Sequence, residues 1–226
     1  MSVLAATPPA VLFDIDGTLV ESNYLHVHAW CRAFKEAGIE VETWRIHRGI
    51  GMDGTRLVKA LSGGADEATR QRASQLHSQY YAELSSYLSL LPGARELLDR
   101  VASQGMQVVL ATSAPDDELA TLRSLLDSED LVSAVTSSED VDIAKPEPDI
   151  VAVALDRAGV PASRAVFVGD SVWDARAAAK AGVTSIGVRS GGVSAQELQG
   201  AGATMVFDDP RDLCEHVETS PIGRLR

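Results

Sequence analysis

The chain carries two cysteines in 226 residues, and that scarcity excludes two classes of protein at once. Cys31 and Cys214 lie far apart on segments with helical periodicity, so neither a disulfide framework nor a cysteine zinc site is expected. Both read as small apolar side chains packed inside. Long apolar runs are missing too, since no window approaches the ~18 apolar residues of a membrane span. Met1 to Pro9 has neither a basic start nor a long apolar stretch, so no signal peptide is expected. Positive charge is in deficit, with 20 Lys and Arg against 32 Asp and Glu and a net charge of −12. That balance argues against sequence-independent nucleic-acid binding, which needs clustered cations. An anionic small molecule is still compatible with it, bound at a local cationic site. These absences together predict a cytoplasmic protein, monomer or homodimer, with no nucleic-acid or membrane partner.

A hydrophobic content of 45% and a charged content of 23% are ordinary for a globular protein and sufficient for a real core. The length fits one large domain or two small ones. After a first strand at Ala10 to Asp14, Leu25, Ala29, Trp30, Ala33, Phe34 and Ala37 recur at helical spacing up to Gly38. Further helical patterns cover Asp53–Leu61 and Glu67–Leu88, with no convincing strand between Val20 and Leu91. From Ala94 onward helix and strand alternate. Strands are expected at Gln107–Ala111, Ser133–Thr136, Ala165–Val168, Thr184–Val188 and Thr204–Phe207. Helices are expected at Ala94–Ser103, Asp116–Leu126, Asp149–Ala158, Asp174–Ala181, Ala195–Gly200 and Arg211–Val217, followed by a frayed tail at Ser220–Arg226. This alternation predicts an α/β protein with a Rossmann-like parallel sheet covered on both faces. Residues 1–20 and 91–226 would form that core, and residues 21–90 an inserted α-helical cap domain.

The chemistry gathers where strands end. Asp14 and Asp16 share a face of an extended backbone, and Gly17 and Thr18 follow at once. Thr112 and Ser113 follow the second core strand, Lys145-Pro146-Glu147-Pro148 forms a proline-stiffened loop, and Gly169-Asp170-Ser171-Val172-Trp173-Asp174 follows the fourth. Taken singly each has a bland reading: hydroxyls that cap a helix, acids favoured by a helix dipole, a solvated lysine. Taken together, they are four carboxylates, a hydroxyl and a lysine at the carboxyl ends of one sheet, where open α/β sheets bind ligands. Grouped acids require a counter-charge, and hard oxygen ligands select Mg²⁺, which shares its shell with a substrate phosphate. Two charges ~4 Å apart interact by about 4 kcal/mol at an effective dielectric near 20. Such neutralisation lets a carboxylate approach a phosphoryl group, and phosphoryl transfer is mainly positioning and charge stabilisation.

Asp14-Ile15-Asp16-Gly17-Thr18, Thr112, Lys145 and Gly169 to Asp174 resemble, in order and spacing, the four motifs of the haloacid dehalogenase (HAD) superfamily. The chain looks most like its phosphoglycolate phosphatase and beta-phosphoglucomutase branch. The resemblance implies an Mg²⁺-dependent phosphatase of phosphoglycolate or sugar-phosphate type, acting on a small phosphorylated metabolite through an aspartyl-phosphate on Asp14. It implies that Asp16 is the acid and base, that Thr112 and Lys145 hold phosphoryl oxygens, and that Asp14, Asp170, Asp174 and the Asp16 backbone carbonyl serve the metal. Asp16 argues against the dehalogenase and phosphonatase branches. Gly17, Thr18, Ser113, His26, Arg45 and Arg48 are the candidates for substrate binding. His26 falls where mutases of the branch carry a histidine, and Arg45, His47 and Arg48 fall in a loop that faces the site in related proteins. Met52 stands where the mutases have an arginine, which weakens the alternative of a sugar phosphomutase. A further alternative, a non-catalytic ligand-binding protein, conflicts with the complete set of motif residues.

Overall fold

The computed structural model describes residues 7–137, 140 and 147–225. Its first strand, β1 (Ala10–Phe13), is apolar and buried at every position, as a strand covered on both faces must be. The sheet around it is completed by β4 (Gln107–Ala111), β5 (Val132–Thr136), β6 (Ala165–Gly169), β7 (Thr184–Val188) and β8 (Met205–Phe207). All pairs are parallel and the strand order is β5-β4-β1-β6-β7-β8. Register fixes where the chemistry can sit. Phe13 lies beside both Leu110 and Val168, so Asp14, Thr112 and Asp170 leave the sheet along one edge.

Alternate residues of each strand face opposite layers. Val11, Phe13, Val108, Leu110, Val166 and Val168 pack against α5 (Ala94–Ser103), α6 (Asp116–Leu126) and α10 (Pro210–Glu215). Leu12, Val109 and Phe167 pack against α7 (Asp149–Ala158) and α8 (Val172–Lys180) on the other face. A last helix, α9 (Ala195–Ala201), buries Leu198 against Ala175 and Ala203.

Between β1 and β4 lie α1 (Asn23–Glu36), α2 (Thr43–Gly49), α3 (Gly54–Leu61) and α4 (Glu67–Glu83). Trp30, Phe34, Ile46, Leu57 and Tyr81 form their own apolar cluster, separate from the two layers of the sheet. Two short strands, β2 (Val20–Glu21) and β3 (Ser89–Leu90), pair antiparallel where the chain enters and leaves this insertion. The expectation of no strand between Val20 and Leu91 is corrected here, because a two-residue pairing is too short to show a period of two. The segment expected as a site-facing loop is helical, α2, with Ile46 buried and Arg45 and Arg48 exposed. Helix α4 ends at Glu83 rather than Leu88, passing into a single 3₁₀ turn at Ser85–Tyr87.

The tail is not frayed: Ser220 and Ile222 are fully buried, and Ile222 joins the core beside Leu213 and Val217. Up to Leu225, which packs on the same cluster, burial of apolar side chains outweighs the general tendency of termini to fray. Cys31 and Cys214 are free thiols, half-buried rather than enclosed. Among the described residues no helix is long and apolar enough to cross a membrane.

Candidate active site

The loop after β1 is folded by its own backbone. The Asp14 N–H donates to Val168 O (3.0 Å), extending the sheet by one residue, and the N–H groups of Leu19 and Val20 both donate to Ile15 O. Gly17 turns the chain at φ +72°, where a Cβ would sit 2.3 Å from Asn23 Nδ2 and 2.5 Å from Asp170 Oδ2. Only glycine satisfies both the turn and the close approach.

Asp14, Asp170 and Asp174 each place a carboxylate oxygen within 4.8 Å of the others, and all three are buried. The surrounding groups hold them in place. Thr18 Oγ1 donates towards Asp14 (3.5 Å) and Asp170 (3.4 Å), and Asn23 Nδ2 donates to Asp170 Oδ2 at 2.7 Å. Asp174 accepts from the N–H (3.1 Å) and hydroxyl (2.6 Å) of Ser171, which itself caps α8. Asp174 thus lies in the first turn of α8, as expected, and also within the cluster of three acids. At about 4.8 Å and an effective dielectric of about 20, each pair of charges repels by about 3.5 kcal/mol. The neutral donors Thr18, Asn23 and Ser171 soften that repulsion. Gly191 keeps the flank of Asp170 open, since a Cβ there would lie 1.7 Å from Asp170 Oδ2. Buried hard oxygen donors with room kept beside them fit a divalent cation.

Asp16 is treated differently. Its carboxylate lies outside that cluster, so the side chain is no part of the ligand set. It is half-buried, accepts from Ser22 Oγ at 2.6 Å and stands 3.5 Å from His26 Nε2. Both Asp14 and Asp16 face a cavity of about 280 Å³ between the strand-end loops and the insertion. The core side of that cavity is Thr112, Ser113 and Glu118; the insertion side includes His26, Trp30, Met52 and His77. The Thr112 hydroxyl accepts from Ala114 N (3.0 Å), while the buried Ser113 hydroxyl has no hydrogen bond among the described residues.

The insertion wall is a run of stacked rings. His26 lies 3.8 Å from Tyr81 and Trp30 lies 4.0 Å from His77, ring centre to ring centre. His26 Nδ1 and His77 Nε2 are 3.2 Å apart. Burial, with the neighbouring His26 adding to it, pushes His77 down to about 2, so it is neutral. Burial also opposes a charge on His26, but its hydrogen bond to Asp16 and the charges of Asp16 and Glu118 outweigh that and raise it. Burial lifts Glu118 to about 7, despite the opposing pull of His26.

The structure brings Asp14, Asp16, Thr112, Ser113 and His26 to one cavity, and sets Gly17 and Thr18 behind the acids as supports. Arg45 and Arg48 are not brought to it. Arg45 pairs with Glu42 at 3.5 Å on the outer side of α2, and Arg48 pairs with Glu197 of α9. The reason is that α2 buries Ile46, which turns its flanking arginines outward. Neighbouring His47 bonds Gly191 O at 3.0 Å. Lys145 lies outside the described residues.

Sequence reasoning missed Asn23, Ser22, Glu118 and His77 as residues of the site. Asn23 and Ser22 carry a faint signal, a Ser-Asn pair at a helix start. Glu118 carries none, because an acid in a first turn is ordinary.

A family model described as haloacid dehalogenase-like hydrolase matches residues 8–182. A solved hydrolase from Pseudomonas syringae is 35% identical, with a TM-score of 0.89 over 93% of this chain and 98% of that one. CbbY from Rhodobacter sphaeroides, solved in complex with phosphate, is 26% identical, with a TM-score of 0.74 over 91% and 96%. The phosphoglycolate phosphatase of Rhodospirillum rubrum is 31% identical over 213 residues, 89% of this chain and 88% of its own length. The family match runs from the foot of β1 through α8 and so takes in all three clustered acids, the insertion and both walls of the cavity. By sequence, sheet order and site alike, this chain belongs to the haloacid dehalogenase-like hydrolase family.

Proposed function

We propose that the protein is a magnesium-dependent phosphatase that hydrolyses a small phosphorylated metabolite, of phosphoglycolate or sugar-phosphate type, with residues 21–90 acting as a cap over the site. The observation that carries this reading is the division of carboxylates. Three are buried together behind the cavity, and a fourth, Asp16, is held apart by Ser22 and His26. Environments that separate two carboxylates let one stay ionised while the other carries a proton. Asp14 attacks phosphorus and forms an aspartyl-phosphate, while the leaving oxygen takes the proton from Asp16. Asp16 then takes a proton from water, whose oxygen attacks the aspartyl-phosphate and releases inorganic phosphate and free Asp14. Thr112, Ser113 and, from the motif resemblance, Lys145 receive the phosphoryl oxygens.

Asp14, Asp170, Asp174 and the Asp16 backbone carbonyl would hold the Mg²⁺, which when bound supplies the charge neutralisation that lets a carboxylate approach a phosphate dianion. Named relatives include phosphoglycolate phosphatases and a protein solved with phosphate, in keeping with this chemistry. The test is hydrolysis of p-nitrophenyl phosphate and of a panel of metabolite phosphates, with Mg²⁺ and with EDTA. Phosphate release that requires Mg²⁺ is expected. No release from any of them with Mg²⁺ present would sink the proposal.

A further inference from the structure

Glu118 has no place in the chemistry just described, yet it faces the cavity. It sits in the first turn of α6, on the core wall, close enough to Asp16, His26 and Tyr81 for its charge to act on their protonation. Among the described residues no hydrogen bond reaches its carboxylate, whose surroundings act on it only through burial and charge. Glu118 is half-buried and lines the cavity, so its carboxylate oxygens are open to a bound molecule.

What can meet it is limited by the neighbours. The cavity adds the hydroxyls of Thr55, Ser74 and Ser78 on the insertion side, and the buried hydroxyl of Ser113, with no hydrogen bond among the described residues, on the core side. Trp30 and His77 supply a flat apolar wall. His26 already faces Asp16, so its charge is countered within the protein. None of the described lining residues is a lysine or arginine.

A volume of about 280 Å³ corresponds to roughly nine waters at about 30 Å³ each, room for an alcohol of several carbons.

We propose that the leaving group of this enzyme is an uncharged, hydroxyl-bearing alcohol of polyol or sugar type, that Glu118 receives its hydroxyls, and that Glu118 disfavours leaving groups carrying a carboxylate. This rests on the phosphatase reading and narrows it. A carboxylate side chain accepts hydrogen bonds from hydroxyls when ionised and can also donate one when protonated. Being held up at about 7, Glu118 visits both forms near neutrality. A leaving group that ends in a carboxylate would place a like charge against ionised Glu118, and specificity can be built by such repulsion as well as by attraction.

Two matched pairs of substrates isolate the effect. 2-Hydroxyethyl phosphate and 2-phosphoglycolate differ only in CH₂OH against COO⁻, as do glycerol 1-phosphate and 3-phosphoglycerate. The kcat/KM ratio within each pair is measured for the unaltered protein, for Glu118→Gln and for Glu118→Ala, so that any loss common to both substrates cancels. The hydroxyl member is expected to win by at least tenfold in the unaltered protein. Glu118→Gln should shrink that ratio at least fivefold by improving the carboxylate member. Glu118→Ala should shrink it too while weakening the hydroxyl member. A preference for the carboxylate member, or a ratio unmoved by both substitutions, overturns the proposal while leaving the phosphatase reading intact. No turnover of these four or of p-nitrophenyl phosphate removes both.

Discussion

The two walls of the cavity are built on different physical principles. The core wall is electrostatic: carboxylates on strand-end loops, each held by short contacts to neighbouring hydroxyl, amide or backbone groups. Its positions follow from the register of a buried parallel sheet, which leaves little freedom to move. The insertion wall is a stack of rings from α1 and α4, packed on a small apolar cluster of their own. It brings shape and, apart from His26, a neutral surface. Under the proposed function, the difference separates reaction from selection: the core supplies groups that any phosphate ester needs, and the facing wall, with Glu118 opposite it, meets the part that differs between esters. The contacts between the walls include Ser22 and His26 on Asp16, Asn23 on Asp170, His47 on Gly191 and Arg48 on Glu197.

Each of these links can be broken. The largest effect belongs to the core wall itself. Asp14→Asn should lower kcat by on the order of 10⁴ or more, while the thermal midpoint holds or rises because repulsion among the three acids falls. Assay with p-nitrophenyl phosphate beside a melting curve reads both, and activity within tenfold of the unaltered protein would falsify the covalent assignment.

Next comes Asn23→Ala, which removes from the insertion a donor that orients a core acid. Loss of such a supporting contact costs about 10–100-fold in metal affinity. Mg²⁺ titration of the substrate-free protein by calorimetry is the measurement, and an unchanged affinity would mean that the walls are independent.

The third concerns protons in the ring stack. His77 is held at about 2 in the folded protein against 6.5 ordinarily. Below pH 6.5 the unfolded chain takes up a proton that the folded one refuses, so stability is lost as pH falls, by up to about 1.4 kcal/mol per unit. Glu118 opposes it from the other wall: raised from 4.5 to about 7, it keeps a proton that the unfolded chain releases, so its contribution is lost as pH rises across that window. Between pH 4.5 and 6.5 the two slopes offset each other. His77→Phe should therefore leave a protein whose stability falls from pH 4.5 to 7, and Glu118→Gln one whose stability rises over the same range. Denaturant unfolding at pH 5 and 7 measures both, and parallel slopes in the two variants would contradict the assignment.

The smallest effect is expected at Arg48→Ala. Its pair with Glu197 is exposed on both sides, and exposed pairs contribute little, so kcat and KM should stay within about threefold. A larger change would promote this contact from a surface pair to a true closure of the cap.

Much of this was readable in the chain beforehand. The alternation from Ala94 onward places β4, β7, α6 and α7 on the residues expected, because a buried parallel strand and an amphipathic helix each leave a strong periodic trace. The convergence of Asp14, Thr112 and Asp170 follows from strand-end position alone. The insertion side was less legible for a definite reason. Arg45 and Arg48 flank Ile46, and a basic helix edge looks the same whether it turns to a cavity or to solvent. Burial of Ile46 decides it, and that depends on partners distant in sequence. Glu118 and Asn23 look like helix-start residues, and only the packing of one wall against the other gives them a second role.

The paired strands β2 and β3 deserve one last consequence. Through them, and through Leu91 N–H to Leu19 O at 2.9 Å, the chain leaves the core and returns to it about one strand spacing away, roughly 5 Å. A unit spliced in at two adjacent points imposes almost nothing on the host. Any helical segment whose ends meet at that spacing can be exchanged for this one without disturbing the register of β1 and β4. Exchanging the wall between relatives should keep the register of the sheet edge, provided the incoming segment restores the contacts of Ser22 and Asn23 to the acids.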